Sequence, residues 1–163
     1  RGIDRCGIMS TSPIVRREAT TVRVMAIDPG EVRVGLAVTD GGGIIATPLE
    51  VIPREGAAER IRLRWEELDV RLCVVGLPLN MNGTEGPAAA KARALGAELA
   101  ALGLEVEYLD ERMTSVTAER TLIEAGHSRR RRREITDAVA AAVLLEAYLA
   151  RRRNQTDHPE ARS

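Results

Sequence analysis

The sequence predicts an α/β domain: a mixed five-stranded sheet flanked by helices. Three observations predict it. Three β-rich runs follow one another between residues 22 and 52 with only short turns between them, the pattern of an antiparallel meander. Leu72-Cys73-Val74-Val75-Gly76-Leu77 is a continuous apolar run, as expected of a parallel strand covered on both faces. From residue 53 onward, segments with helical periodicity alternate with strand-like ones, which predicts the order β-β-β-α-β-α-β-α-α.

Each element has a local reason. Val22–Ile27 reads as a buried strand, ended by Asp28-Pro29-Gly30, since Pro and Gly punctuate strands. Val32–Val38 is the second strand, Gly41-Gly42-Gly43 the turn, and Ile44–Ile52 the third strand. Ala57, Ile61, Trp65 and Leu68, with a weaker contribution from Leu63, suit one face of an amphipathic helix. Leu72–Leu77 is the fourth strand, followed by a polar loop from Pro78 to Gly86. Pro87 opens an Ala-rich helix to about Leu102, with Gly103 at its end. Leu104–Leu109 is the fifth strand. Thr114 or Ser115 is placed to cap a helix running to Ala125 and closed by Gly126. The last helix is expected from about Glu134 to Arg152, packing through Ala138, Ala141, Ala142, Leu145 and Leu149.

At 163 residues the chain has the length of one domain, expected over 22–152 between a flexible leader (1–21) and a flexible tail (153–163). Hydrophobic residues make up 44%, enough for a core, which must be aliphatic because there is one Trp, two Tyr and no Phe. No apolar run approaches the roughly 18–20 residues that span a bilayer, and no secretory leader is evident, so a cytoplasmic protein without membrane association is expected. Cys6 and Cys73 form no metal-ligand spacing and suit a reducing compartment. The net charge of zero argues against a protein that coats nucleic acid indiscriminately. The basic residues are nevertheless clustered: Arg129, Arg130, Arg131, Arg132 and Arg133 are contiguous. Such a run is either a solvated charge cluster or a grip for phosphates, which the planar guanidinium fits well.

Four segments carry candidate chemistry. Asp28 stands at the end of an apolar strand, where side chains of α/β sheets gather into sites. Alone it reads more readily as a turn-forming aspartate. The continuation, through Arg33 and Gly35 to Asp40, favours a site: a glycine inside a strand often marks close approach of a backbone or ligand, and Arg33 would lie near Asp28. The second segment, Val75 to Pro87, is a long loop rich in amides and glycine, with Asn80, Asn82 and Thr84. The third, Tyr108 to Val116, places Asp110, Glu111 and Arg112 at another strand end; acids there could instead simply face a helix dipole. The fourth puts Asp137 in the expected first turn of the last helix, where the same dipole reading applies.

Together these segments resemble the YqgF (RuvX) family of pre-16S rRNA nucleases and Holliday-junction resolvase-like proteins. The family pattern runs Asp-x-Gly-x-x-Arg-x-Gly-x-Ala, then Gly-Leu-Pro, then Asp-Glu-Arg, then Asp-Ala on the last helix. All four occur here in order across about residues 22–150, with Asn82 where Asp is common and Met113 and Ser115 departing from the usual Leu-Thr-Thr. The resemblance implies an RNase H-like fold with strand order 3-2-1-4-5. It implies a nuclease hydrolysing phosphodiester bonds in RNA, with 16S rRNA 5′-end maturation as the role and DNA or Holliday junctions as further substrates. It implies Asp28, Glu111 and Asp137 as catalytic, metal-binding carboxylates for Mg²⁺ or Mn²⁺, hard cations that take oxygen ligands. Arg33, Asn80, Thr84, Arg112, Thr114 and Arg129 to Arg133 would contact nucleic acid. The protein would act as a monomer or a homodimer.

Geometry leaves the third carboxylate open. In a 3-2-1-4-5 sheet the fifth strand lies about 10 Å from the first, at roughly 4.8 Å per strand, so Glu111 must bridge that gap. Asp110 and Glu85 are the alternatives. Two other classes share features with the chain. Actin-like and sugar-kinase ATPases open on an Asp-x-Gly hairpin but need two such domains. A non-catalytic nucleic-acid-binding module of ribosome assembly or transcription needs no carboxylates.

Overall fold

The computed structural model describes residues 22–114 and 129–157, with the side chains of 129–134 and 157 excepted. The expected leader, the tail from residue 158, and the helix expected up to Ala125 lie outside the described residues.

Five strands form one sheet in the order β3-β2-β1-β4-β5. The strands are β1 (Arg23–Pro29), β2 (Arg33–Thr39), β3 (Ala46–Pro53), β4 (Val70–Leu77) and β5 (Val106–Asp110). The β1–β2 and β2–β3 pairs are antiparallel, and the β1–β4 and β4–β5 pairs are parallel. This is the mixed sheet expected from the sequence. The helices are α1 (Ala57–Glu67), α2 (Pro87–Ala101) and α3 (Arg129–Asp157).

Alternation along the strands sorts their side chains onto two faces. On one face Met25, Ile27, Val34, Leu36, Cys73 and Val75 pack with Ala57 and Ile61 of α1 and Ala92, Leu95 and Leu99 of α2. On the other, Val24, Ala26, Ala37, Leu72, Val74 and Leu109 meet Ala141, Ala142, Leu144, Leu145 and Leu149 of α3. The expected packing face of the last helix is thus buried, with Leu144 added. Cys73 is a free thiol inside the first of these layers.

The fourth strand starts at Val70 and the fifth at Val106, each two residues from expectation, and two further departures have a visible cause. The third strand begins at Ala46, because the Asp40 carboxylate accepts hydrogen bonds from the backbone N–H groups of Ile44 and Ile45, at 2.9 and 3.1 Å. That turn holds both isoleucines out of the sheet, 65% and 61% exposed. The last helix begins at Arg129 and ends at Asp157. Arginine is a good helix former, so the basic run extends the helix instead of preceding it. Asp137 consequently lies eight residues past the first helical residue, well beyond the first turn in which it was expected. A dipole role at the helix start is excluded for it, since that field acts within the first turn.

Candidate active site

Asp28 emerges at the end of β1, the central strand, directly opposite Gly35 of β2. By alternation it shares the face of Val24 and Ala26, which is the face covered by α3. Glu111 opens a short 3-10 turn (Glu111–Met113) that follows β5, and by the same alternation it shares the face of Leu109. The two carboxyls meet in a hydrogen bond across the intervening strand β4. Burial pushes the Glu111 carboxyl up to about 7, and the adjacent Asp28 charge adds to the rise. Burial likewise raises Asp28, with the nearby Asp137 charge acting in the same direction, while the hydrogen bond from Glu111 opposes it. The physical picture is a proton held between two acids that the fold has half-buried and pressed together.

Asp137 approaches from α3. Its backbone carbonyl lies so close to Gly35 that a Cβ there would overlap it. The glycine inside β2 therefore marks close approach of a backbone, that of α3. The Asp137 side chain pairs with Arg33 at 3.2 Å, both about one-third exposed. Asp28, Gly30, Glu31, Val32, Arg33 and Asp137 line a cleft of about 250 Å³. Arg33 thus braces Asp137 directly, and borders the cleft that Asp28 lines.

The two alternatives for the third carboxylate are engaged elsewhere. Asp110 is held below the usual carboxylate range by Arg112, which grips it through Nε and Nη2 at distances down to 2.6 Å and through its backbone N–H at 2.9 Å. Glu85 is likewise lowered by Arg93, which holds it at 2.8 Å.

The polar residues expected to contact nucleic acid brace their surroundings. Thr114 donates its hydroxyl to the Glu111 carbonyl at 2.7 Å and its backbone N–H to the same oxygen at 3.0 Å, closing the turn that carries Glu111. Asn80 donates to the Thr84 hydroxyl at 2.9 Å, and Thr84 donates to Asn82 at 2.6 Å. With the Asn80–Thr84 backbone bond at 2.8 Å, these close the loop after β4 into a small hairpin. Arg112 reaches across to the Met81 carbonyl of that hairpin at 3.4 Å, linking it to the Glu111 turn. This latch is not legible from spacing, because 31 residues separate its ends. The side chains of Arg129 to Arg133 lie outside the described residues; their backbone forms the first turns of α3.

The oxygen-only donor set of Asp28 and Glu111, with Asp137 beside it, suits a hard divalent cation. A cation there would also offset the burial and the neighbouring acidic charges that raise Asp28 and Glu111. Among the described residues no three acidic, His or Cys side chains stand in ready metal-holding geometry.

Residues 22–151 match the model of the RuvX family, described as Holliday junction resolvase. A protein of Pelotomaculum thermopropionicum named "Putative pre-16S rRNA nuclease" is 46% identical, covering 78% of this chain and 86% of its own. One of the same name from Syntrophomonas wolfei is 42% identical, covering 78% and 94%. Among solved structures, Thermus thermophilus RuvC in complex with a Holliday junction substrate superposes with a TM-score of 0.52 at 18% identity, covering 80% of this chain and 96% of that one. At that identity the likeness establishes the fold, an RNase H-like one.

Proposed function

The chain belongs to the RuvX family, and on that basis we propose that it is a divalent-metal-dependent nuclease whose substrate is the precursor of 16S rRNA. The observation that carries the reading is the Asp28–Glu111 carboxyl pair, half-buried at strand ends of the sheet with Asp137 beside it. Two acids that repel each other at neutral pH destabilise a fold, and a site is the usual reason to keep them.

Asp28, Glu111 and Asp137 would hold Mg²⁺ or Mn²⁺. When bound, such a cation polarises the phosphodiester and makes water a stronger nucleophile at neutral pH. The chain itself does the positioning. Asp28 is fixed by the central strand, Glu111 by the Thr114-closed turn, and Asp137 by the seating of α3 on Gly35. Arg33, which pairs with Asp137 and lines the same cleft, would meet a substrate phosphate there. Arg112, Asn80 and Thr84 keep the hairpin beside the Glu111 turn in one shape. The arginines 129–133 would grip the nucleic-acid backbone. Hydrolysis adds a water oxygen to phosphorus and breaks one P–O ester bond, so no side-chain nucleophile is required.

Cleavage of an RNA carrying the 16S precursor 5′ end, beside a four-way DNA junction, tests the reading. Wild type should cut the RNA with Mn²⁺ or Mg²⁺ and stop on adding EDTA. Asp28→Asn should lose about 10²–10³-fold in rate, as expected when a charge-stabilising group is removed. Equal activity of the variant, or activity in EDTA, overturns the metal-carboxylate reading. Binding without cleavage by wild type would instead support a non-catalytic nucleic-acid-binding module, and junction cutting alone would make DNA the substrate.

A further inference from the structure

Glu111 follows the edge strand β5, Asp28 ends the central strand β1, and β4 lies between them. A glutamate side chain can cross a strand only where that strand presents no side chain on the crossing face. β4 has such a place. Gly76 pairs with Leu109 of β5, one step beyond the Val75–Ile27 pair with β1, so it sits level with Asp28 and just behind Glu111. Alternation puts it on the α3 face with Leu72 and Val74. A Cβ at Gly76 would stand 2.6 Å from Glu111 Oε1, 3.3 Å from its carboxyl carbon and 3.1 Å from Leu144 Cδ2.

Backbone conformation does not call for glycine here. Among the described residues the glycines with positive φ are Gly43, Gly56, Gly83 and Gly103, and Gly76 lies in a regular parallel strand. Glycine weakens a strand interior, so its presence in an otherwise fully apolar run has to be explained by the space it leaves. The Glu111 carboxyl occupies that space. Gly35 on β2 does the matching job on the other side of Asp28, where it admits the α3 backbone at Asp137. The central aspartate is therefore flanked on both neighbouring strands by glycines that let the other two acids in.

We propose that Gly76 is a positioning residue: its missing side chain is the passage through which Glu111 crosses β4 to reach Asp28. This rests on the reading of Asp28 and Glu111 as the cation-holding pair only for its functional consequence; the crossing itself is a statement about the metal-free protein. A methyl group at 76 meets the flexible end of Glu111 before it meets backbone, so the carboxyl should swing away while the fold survives.

The test is Gly76→Ala, compared with wild type, Glu111→Gln and the double variant. The melting temperature of Gly76→Ala should stay within a few degrees of wild type. Its Mn²⁺ affinity, read by electron paramagnetic resonance, should fall about 10–100-fold, the usual loss when a ligand's support is removed. Gly76→Ala added to Glu111→Gln should cost nothing more. Full additivity of the two losses, or wild-type Mn²⁺ affinity in a folded Gly76→Ala, overturns the proposal. A crystal structure of the metal-free variant decides the crossing independently: Glu111 should no longer meet Asp28, and retention of their hydrogen bond refutes the passage. If wild type binds no Mn²⁺, the cation reading falls while this crystallographic outcome still stands. Should Gly76→Ala fail to fold, Gly76→Ala/Leu144→Val relieves the aliphatic clash and leaves only the Glu111 one.

Discussion

A carboxyl that keeps its proton up to about pH 7 opposes folding at any higher pH. Glu111 is in that position because of burial and the neighbouring Asp28. Between its ordinary value of 4.5 and about 7, the folded chain binds a proton that the unfolded chain has released. Stability of the metal-free protein should therefore fall as pH rises through that window, and the loss is complete above it. Asp28 is shifted in the same direction and adds to the slope. The Glu111 shift, discounted because the group is partly exposed, amounts to about 1–2 kcal/mol. Glu111→Gln should accordingly stabilise the metal-free protein at pH 8 by about that amount and flatten its pH profile, measured by urea unfolding from pH 5 to 8. A variant less stable than wild type at pH 8 would contradict the strained acid pair. Single residues are partly legible in the sequence. Gly35 stands out as an anomaly inside a strand, whereas Gly76 carries the same signal but is hidden in an unbroken apolar run.

At the level of elements, the site depends on how closely α3 lies on the sheet. Small residues Ala138, Ala141 and Ala142 bring the helix down, and Gly35 lets its backbone touch β2 at Asp137. Gly35→Ala forces the helix outward, because the obstructing atom is a main-chain carbonyl that no rotamer change can move. We expect it to destabilise the protein by about 1–3 kcal/mol, the range for overpacking, seen as a lower urea midpoint. It should also displace Asp137 and reduce cleavage even where the protein is fully folded. Unchanged stability would mean that α3 does not sit where the helix–strand packing puts it. Helix periodicity identifies the buried face of α3 correctly but misplaces its start. The helix propensity of arginine favours helical turns there, but it is a weak bias beside the charge run's reading as a loop.

For the molecule as a whole, zero net charge supplies no net attraction for nucleic acid. Whatever affinity exists must come from local clusters, and Arg129–Arg133 is the densest in the sequence. Replacing those five arginines by glutamine should weaken RNA binding across sequences alike. It should also shallow the dependence of log K on log salt by about 0.7 for each single-strand phosphate that the variant no longer neutralises. Fluorescence anisotropy across a salt series reads both. An unchanged salt slope would show that the run is only a solvated cluster. Near the cleft, by contrast, Arg33 and Arg112 are already paired with Asp137 and Asp110.

The sheet, its five strands and the segments that carry acids can all be read along the chain. Those properties follow from local periodicity, turn chemistry and motif spacing, all of which act over a few residues. Which acids meet is a property of the folded molecule alone. Asp110 and Glu85 are equal candidates by their place in the sequence, yet both are bound to arginines, while Glu111 crosses a strand to Asp28. That selection depends on strand register and on two glycines that clear space beside Asp28. Residues from opposite ends of the sheet's chain order become neighbours there, and no pattern of a few residues encodes such a meeting directly.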